Sequence, residues 1–289
     1  MGEAKPVSVR AIQSDDLTSV GQFLHVHLNP RISAQAWASA PLVPWQVSSP
    51  KHGFLLADVV GIVGVYLAFY STRTIGGIDE PICNLGAWCV RDEHRGHSIR
   101  LLKAMLGQKG FTFTDLSPSG AVIPLNERLK FQHLNTATAI IPALPLPRWP
   151  SRIRISTDRT EIERTLSGKQ LQLYRDHARA AAANHVLLTS GQEVCYVIYR
   201  RDRRKNLPVF ASILYVSNPD LFATAAPELA RYLLFRDGIL AILAELRIVI
   251  HRPKSSFMLS SPRRKMFKSD RLKPEDIDDL YSELVCVAW

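Results

Sequence analysis

The same order of secondary-structure elements is predicted twice along this chain. In residues 8–144 the apolar patterns predict a strand, two helices, a hairpin, a strand with a glycine-bearing loop and helix behind it, and then a strand, a short helix and a last strand. After a proline-rich linker centred near Pro147, residues 153–217 begin the series again. Such a repeat indicates internal duplication and therefore two similar halves.

A gapless alignment supports the duplication. Residues 111–131 align on residues 247–267 at an offset of 136, with identities at Ser119/Ser255, Arg128/Arg264 and Phe131/Phe267. A chain of 289 residues is long for one domain and comfortable for two. We therefore predict two α/β domains, residues 1–147 and 148–289, each with a mixed, mainly antiparallel sheet flanked by helices.

Residues 84–108 carry the clearest chemical signal. An apolar run that ends at Val90 is followed by a charged turn containing Gly96 and then by an amphipathic run, which predicts strand, loop and helix. Backbone N–H groups at a helix start have no intrahelical partner and carry the positive end of the helix dipole. Arg95 adds charge beside them, so the loop is a candidate phosphate site. The alternative is a charged turn that only faces water.

This stretch and the element order resemble the GNAT superfamily of acyl-CoA-dependent N-acyltransferases. In register with the family motif, Val90 ends the fourth strand and Arg95-Gly96-His97-Ser98-Ile99-Arg100 forms the loop. The resemblance implies a loop that holds the pyrophosphate of coenzyme A and a pantetheine arm beside the fourth strand. It also implies acetyl-CoA or another acyl-CoA as co-substrate. The cofactor-binding candidates are Val90, Arg95, Gly96, His97, Ser98, Ile99, Arg100 and Asn126.

The sequence departs from the family pattern at three places. Ser98 and Arg100 stand where the family has small residues, and the tyrosine usual after Asn126 is missing. The arginine would point away from the phosphates, contact them, or block the site. The second half has no matching loop after Val216, so the resemblance implies that it has lost cofactor binding. A non-catalytic protein that binds coenzyme A or another nucleotide is therefore an alternative.

The catalytic candidates are Asp115, Ser117 and Ser119, at the end of the fifth strand and in the turn after it. The family reaction needs a base for the amine and a proton for the leaving thiolate. Asp115 could be the base, and the two serines could donate to the thiolate. Alternatively, Asp115 caps the following turn and the serines only shape it.

The formal net charge of +10 favours a polyanionic ligand or partner. Two basic clusters stand out, at residues 200–205 and 263–273, and a nucleic-acid-binding module is the second alternative. No RNA-binding signature or aromatic stripe accompanies them, so nucleic acid is not the favoured partner. We expect a small-molecule amine acceptor, and a homodimer stays open.

Other classes of protein are disfavoured. No apolar run approaches the roughly 18 residues of a membrane span, and no apolar signal segment stands at the start of the sequence, so we expect a cytoplasmic protein. The histidines and four scattered cysteines show no metal-ligand spacing, and we expect no metal. The favoured function is acyl transfer from acyl-CoA to an amine, with an enzyme preferred over a binding protein.

Overall fold

The computed structural model describes residues 7–45, 47, 52–145, 152–204 and 207–288. The predicted linker lies largely outside these residues. The first half contains β1 (Ser8–Ala11), α1 (Leu17–His27), α2 (Ala34–Ser39), β2 (Gly53–Ala57), β3 (Ile62–Ile75), β4 (Ile78–Val90), α3 (Ser98–Leu106), β5 (Thr112–Asp115), α4 (Ile123–Arg128), β6 (Gln132–His133) and β7 (Thr138–Pro142). Short 3-10 helices precede α1 (Ser14–Asp16) and α3 (Asp92–His97).

The second half repeats this series. It contains β8 (Ile153–Ser156), α5 (Arg159–Thr165), α6 (Gly168–His177), β9 (Asn184–Ser190), β10 (Glu193–Arg204), β11 (Leu207–Val216), α7 (Pro219–Asp237), β12 (Ala241–Glu245), α8 (Leu246–Val249), β13 (Phe257–Met258), β14 (Met266–Lys268) and α9 (Glu283–Cys286). A 3-10 helix at Pro274–Asp276 stands between β14 and α9.

The halves exchange one strand each. The first seven-stranded sheet has the order β1-β2-β3-β4-β5-β14-β6, and the second has the matching order β8-β9-β10-β11-β12-β7-β13. In each sheet the fourth and fifth strands are parallel and the exchanged strand is antiparallel to the fifth. The predicted fold class, two mixed sheets flanked by helices, is confirmed. The division at residues 147/148 stays a prediction.

The gapless repeat alignment is wrong in register. Strands β5 and β12 hold the same place in their sheets, and each ends beside the first residue of the exchanged strand. Asp115 therefore corresponds to Glu245, an offset of 130 (245 − 115) and not 136. The offset of 136 pairs residues of different elements, such as Thr112 in β5 with Ile248 in α8. The three identities that suggested this offset are therefore coincidental.

In the second half the sequence predicts an alanine-rich helix over residues 170–184 and a strand in the last apolar run, which begins at Val285, and both predictions are wrong. The alanine-rich helix predicted over residues 170–184 ends at His177, since residues 178–183 form turns and Ala182 donates its N–H to the carbonyl of Val285 at 2.9 Å. The segment from Val285, predicted as a strand, begins within α9. In both places a contact between distant parts of the chain overrides local preference.

Three apolar cores hold the layers together. The largest lies between the two sheets and includes Trp37 and Leu67 of the first half with Tyr196 and Leu284 of the second. The outer face of the first sheet packs on α3, and the outer face of the second packs on α7. Because one core joins both halves, residues from each can reach a common site.

Strand β4 is shaped by glycines. Gly76 and Gly77 have φ of +59° and +84°, which suits the two-residue turn that joins β3 to β4. Further along, a β-bulge places Gly86 so close to the Phe69 ring that an added Cβ would stand 2.6 Å from a ring carbon. The bulge redirects the end of β4. None of the described helices is long and apolar enough to span a bilayer.

Candidate active site

The candidate site lies where β4 and β5 separate. The two strands pair only through Ile82, Cys83 and Asn84, and among the described residues no strand pairs with this edge of β4 beyond Asn84. Trp88, Cys89 and Val90 at the end of β4 are half-buried. The separation leaves a strand edge with backbone N–H and C=O groups directed into a cleft, which is suited to an extended ligand that carries amides.

Asp115 and Asn126 meet at this cleft. Asp115, the last residue of β5, is buried and accepts a hydrogen bond from Asn126 Nδ2 at 2.8 Å. Burial raises the pKa of Asp115 to about 6, although the Asn126 amide and the backbone N–H of Ser117 act in the opposite direction. The Ser117 contact is the turn cap considered above. Asp115 thus caps its turn and is also a carboxyl that titrates near neutral pH.

Glu283 is a second buried carboxyl, and the sequence prediction missed it. Its backbone N–H donates to Asn84 Oδ1 at 2.8 Å, and Ser117 Oγ donates to Glu283 Oε1 at 2.8 Å. Its Oε2 has no hydrogen-bond partner in the described part of the chain. Burial, with a contribution from the Asp115 charge, raises the pKa of Glu283 to about 7, against lowering by Ser117. The sequence signal was a lone glutamate directly before the apolar run of residues 284–288.

The two carboxyls flank the cleft from opposite faces of the first sheet. Asp115 shares its face with Phe113, which packs in the α3 core, whereas Asn84 and its partner Glu283 lie on the face with Ile82, toward the second half. Burial raises the pKa of Tyr66, and the charges of Asp115 and Glu283 contribute in the same direction. Tyr66 also stacks on Trp88, with ring centroids 4.7 Å apart.

The loop before α3 differs from an open phosphate loop. Residues Asp92–His97 form a 3-10 helix that runs directly into α3, and the Ser98 N–H donates to the carbonyl of Arg95. The first turn carries Asp92 and Glu93, and the backbone N–H of Glu93 lowers the pKa of its own carboxyl. Arg95 pairs with Asp92 at 2.9 Å. In this conformation the protein's own carboxylates occupy the positive end of the helix.

The remaining loop candidates are spread around the start of α3. The Arg100 guanidinium donates to the carbonyl of Val7 at 2.7 Å and so points away, the first of the three outcomes considered above. Ile99 is exposed, and His97 and Ser98 are half-buried.

The catalytic candidate Ser119 is exposed in the turn before α4, away from the Ser117–Glu283 contact.

A cavity of about 50 Å³ lies between the halves next to Ser117 and Leu284. It occupies the place where β11 and β12 separate, the second-half counterpart of the β4–β5 cleft. Its far wall is an ion network. Lys265 Nζ lies 2.5 Å from both Glu245 Oε1 and Asp279 Oδ2, and Arg247 contacts the same two carboxylates.

Several arginines of the two basic clusters form salt bridges within the protein. Arg263 pairs with Asp202, Arg271 with Glu80 and Arg201 with Asp237, each at 2.6–2.7 Å. The first cluster extends to residue 205, which lies outside the described residues. Among the described residues, no group of three His, Cys, Asp or Glu side chains could hold a metal ion.

Comparison with known proteins identifies the fold. Neither a protein-family model nor a curated protein matches this sequence. Among solved structures, a GCN5-related N-acetyltransferase from Anabaena variabilis superposes with a TM-score of 0.57 at 11% identity, covering 91% of this chain and 72% of its own. A putative acetyltransferase from Pyrococcus horikoshii gives 0.56 at 14% identity, covering 97% and 95%.

A third match is the N-myristoyltransferase of Saccharomyces cerevisiae with bound myristoyl-CoA. Its TM-score is 0.52 at 10% identity, and the match covers 99% of this chain and 86% of that one. These matches cover 91–99% of this chain and therefore extend over both halves. This chain therefore has the fold of the GCN5-related N-acetyltransferases, with a GNAT-like sheet in each half.

Proposed function

We propose that this protein is an acyl-CoA-dependent N-acyltransferase, with Glu283 as its general base. The observation that carries the proposal is the pair of buried carboxyls, Asp115 and Glu283, at the point where β4 and β5 separate. A base acts best when its pKa lies near the working pH, and burial raises the pKa of Glu283 to about 7. The similar structures include N-acetyltransferases and a myristoyl-CoA complex, which supports the same reaction class.

In the proposed reaction the acyl-CoA lies along the free edge of β4, with its thioester in the cleft. The Glu283 carboxylate accepts a proton from the acceptor amine, whose nitrogen attacks the thioester carbon. The carbon–sulfur bond then breaks and the thiolate is protonated to give free coenzyme A. We propose that the proton that Glu283 takes from the amine is passed to that thiolate, directly or through water. Asp115 is retained as a second candidate base.

A thiol-release assay with acetyl-CoA and longer acyl-CoAs over a set of amines tests this proposal. We expect Glu283→Gln to lower kcat by roughly 100-fold or more, and to remove the rise of kcat/KM with pH near 7. The exposed Glu275→Gln serves as the matched control and should behave as wild type. Release of thiol by Glu283→Gln at the wild-type rate and with the wild-type pH profile would exclude Glu283 as the base.

The second candidate is a non-catalytic protein that binds coenzyme A or a related nucleotide. The absence of the family's tyrosine after Asn126 favours it, because the leaving thiolate then lacks its usual proton donor. Gly96 offers a clean probe, since an added Cβ there meets nothing within 4 Å. We expect Gly96→Leu to keep the melting temperature of the free protein and to lose the stabilisation by coenzyme A.

The outcomes of the two assays separate the candidates. Stabilisation by coenzyme A with no thiol release over the amine set would favour the binding protein. Equal stabilisation of wild type and Gly96→Leu would show that the loop before α3 does not hold the cofactor. Stabilisation only by a short RNA would favour the nucleic-acid-binding module instead. The acetyl group, the cytoplasmic location and the small-molecule amine acceptor belong to the proposal as well.

A further inference from the structure

Arg200 is a buried cation that forms no salt bridge with any carboxylate of the described residues. It extends from β10 into the layer between the sheets, is 2% exposed, and lines the cavity beside Leu284. Within the described part of the chain its guanidinium donates to two backbone carbonyls, of Leu284 at 3.3 Å and of Arg201 at 3.5 Å. Its Nη2 has no hydrogen-bond partner among the described residues. Burying a guanidinium whose N–H groups lack acceptors costs free energy, unless a bound group supplies the missing acceptors.

The other charges around the cavity are already matched. Asp202 accepts from Arg263 at 2.7 Å and from Ser212 at 2.8 Å. The carboxylates Glu245 and Asp279 are matched by Lys265 and Arg247. These pairs leave Arg200 as the cavity-lining cation that is not matched by a carboxylate of the described residues. The cavity therefore favours an anion.

The size of the cavity limits that anion. About 50 Å³ holds a few waters or one group of the size of a carboxylate. The forked guanidinium of arginine matches a planar carboxylate in two parallel hydrogen bonds. Arg263 stands half-exposed at the mouth and Ser117 is accessible on the first-half wall, so that the cavity has a way in from solvent.

We propose that this cavity binds the carboxylate of a small organic acid, with Arg200 as its principal partner. The cavity wall includes Ser117, which donates to Glu283, so a ligand bound through its carboxylate extends toward the proposed base. Resting on the acyl transfer proposed above, the acceptor is then an amine that also carries a carboxylate, as glycine or β-alanine does. Its amino group would lie toward Glu283 and its carboxylate on Arg200.

Binding is tested first, by calorimetry and by melting temperature, with acetate, glycine and β-alanine against ethylamine, which lacks a carboxylate. We expect the three carboxylates to stabilise the wild type and ethylamine not to. In Arg200→Met carboxylate binding should weaken at least roughly tenfold. The free Arg200→Met protein should melt no lower than wild type, because the change removes an unmatched buried charge. The exposed Arg175→Met is the matched control.

A rim variant guards against misfolding of Arg200→Met. Arg263→Met should fold and weaken carboxylate binding several-fold, because Arg263 lies at the mouth. The proposal is overturned if no carboxylate stabilises the wild type. It is overturned equally if Arg200→Met melts lower than wild type while its ligand-induced shift is unchanged, since Arg200 would then be structural.

The acyl-transfer assay separates this inference from the proposed function. Carboxylate binding that depends on Arg200, with no thiol release for any amine, would leave the site standing and remove the acyl transfer. Thiol release with ethylamine equal to that with glycine, and unchanged in Arg200→Met, would leave the acyl transfer standing and remove the carboxylate site. Preference for glycine or β-alanine that disappears in Arg200→Met supports both.

Discussion

At the residue scale, several carboxyl groups of this protein are buried. Asp115, Glu283 and Asp279 are all buried, yet their surroundings differ. Burial alone would raise the pKa of Asp279, but Lys265 and Arg247 reverse this and lower it. Glu283 pairs with no cation in the described part of the chain, and burial raises its pKa to about 7. The paired Asp279 stabilises the fold, whereas Glu283 can gain and lose a proton near neutral pH.

The raised pKa of Glu283 predicts a dependence of stability on pH. Below its ordinary pKa of 4.5 the carboxyl is protonated in the folded and unfolded chain alike. As the pH rises to about 7, the unfolded chain loses the proton while the folded one retains it, so the free energy of unfolding falls, by roughly 3 kcal/mol. We expect Glu283→Gln to lose less stability over this window.

Denaturant unfolding between pH 4 and pH 8 measures both proteins. The difference between wild type and Glu283→Gln isolates this carboxyl from Asp115, whose pKa is raised in the same direction. Parallel curves over the whole range would show that Glu283 is ionised in the folded protein, and would remove the main support for its role as base.

At the element scale, the exchanged strand β14 is held by charge as well as by backbone pairing. Lys265, the residue just before β14, binds Glu245 at the end of β12 and Asp279 before α9. It thereby links the segment that enters the first sheet to the core of the second half. Met266 and Phe267 of β14 are themselves buried between β5 and β6.

We expect Lys265→Met to destabilise the protein by roughly 3–5 kcal/mol, because it leaves two carboxylates with one cation between them in a buried site. Urea unfolding measures the loss. The exposed Lys254→Met is the matched control and should change stability by no more than about 0.5 kcal/mol. A loss for Lys265→Met as small as that of the control would show that the network is not needed to hold β14.

At the scale of the whole molecule, the reciprocal exchange of β7 and β14 makes each sheet depend on both parts of the chain. Residues 1–147 by themselves would leave a gap between β5 and β6, and residues 148–289 would leave one between β12 and β13. Such a gap exposes unpaired strand edges and part of the shared core. Duplication at the level of sequence therefore does not imply two independently folding units.

We expect the full chain to unfold in one cooperative transition, with calorimetric and van't Hoff enthalpies that agree. Neither half expressed alone should give a folded monomer, whereas the two halves expressed together should associate. Circular dichroism and size-exclusion chromatography report on these states. A folded, monomeric protein from residues 1–147 alone would show that β14 is dispensable.

The sequence by itself determined the local elements, because turn glycines, N-caps and apolar periods act over short distances. The strand–loop–helix order predicted for residues 84–108 is found, and local signals act in the same way at the Gly76–Gly77 turn and at the Ser33 cap of α2. That order was enough to predict two GNAT-like halves. The sequence also identified Asp115 and Asn126 as candidate site residues, and the structure places them in contact.

Only the tertiary structure decided which strand enters which sheet and which carboxyl meets which cation. The exchange of β7 and β14 depends on pairing between residues that are 99 (241 − 142) to 155 (268 − 113) positions apart, and no local pattern encodes it. Glu283 reads as one acidic residue near the end of the sequence, and Arg200 as one of a basic cluster. Burial in the shared core raises the pKa of Glu283. It also leaves Arg200 Nη2 without a hydrogen-bond partner among the described residues. Burial is a property of the folded chain alone.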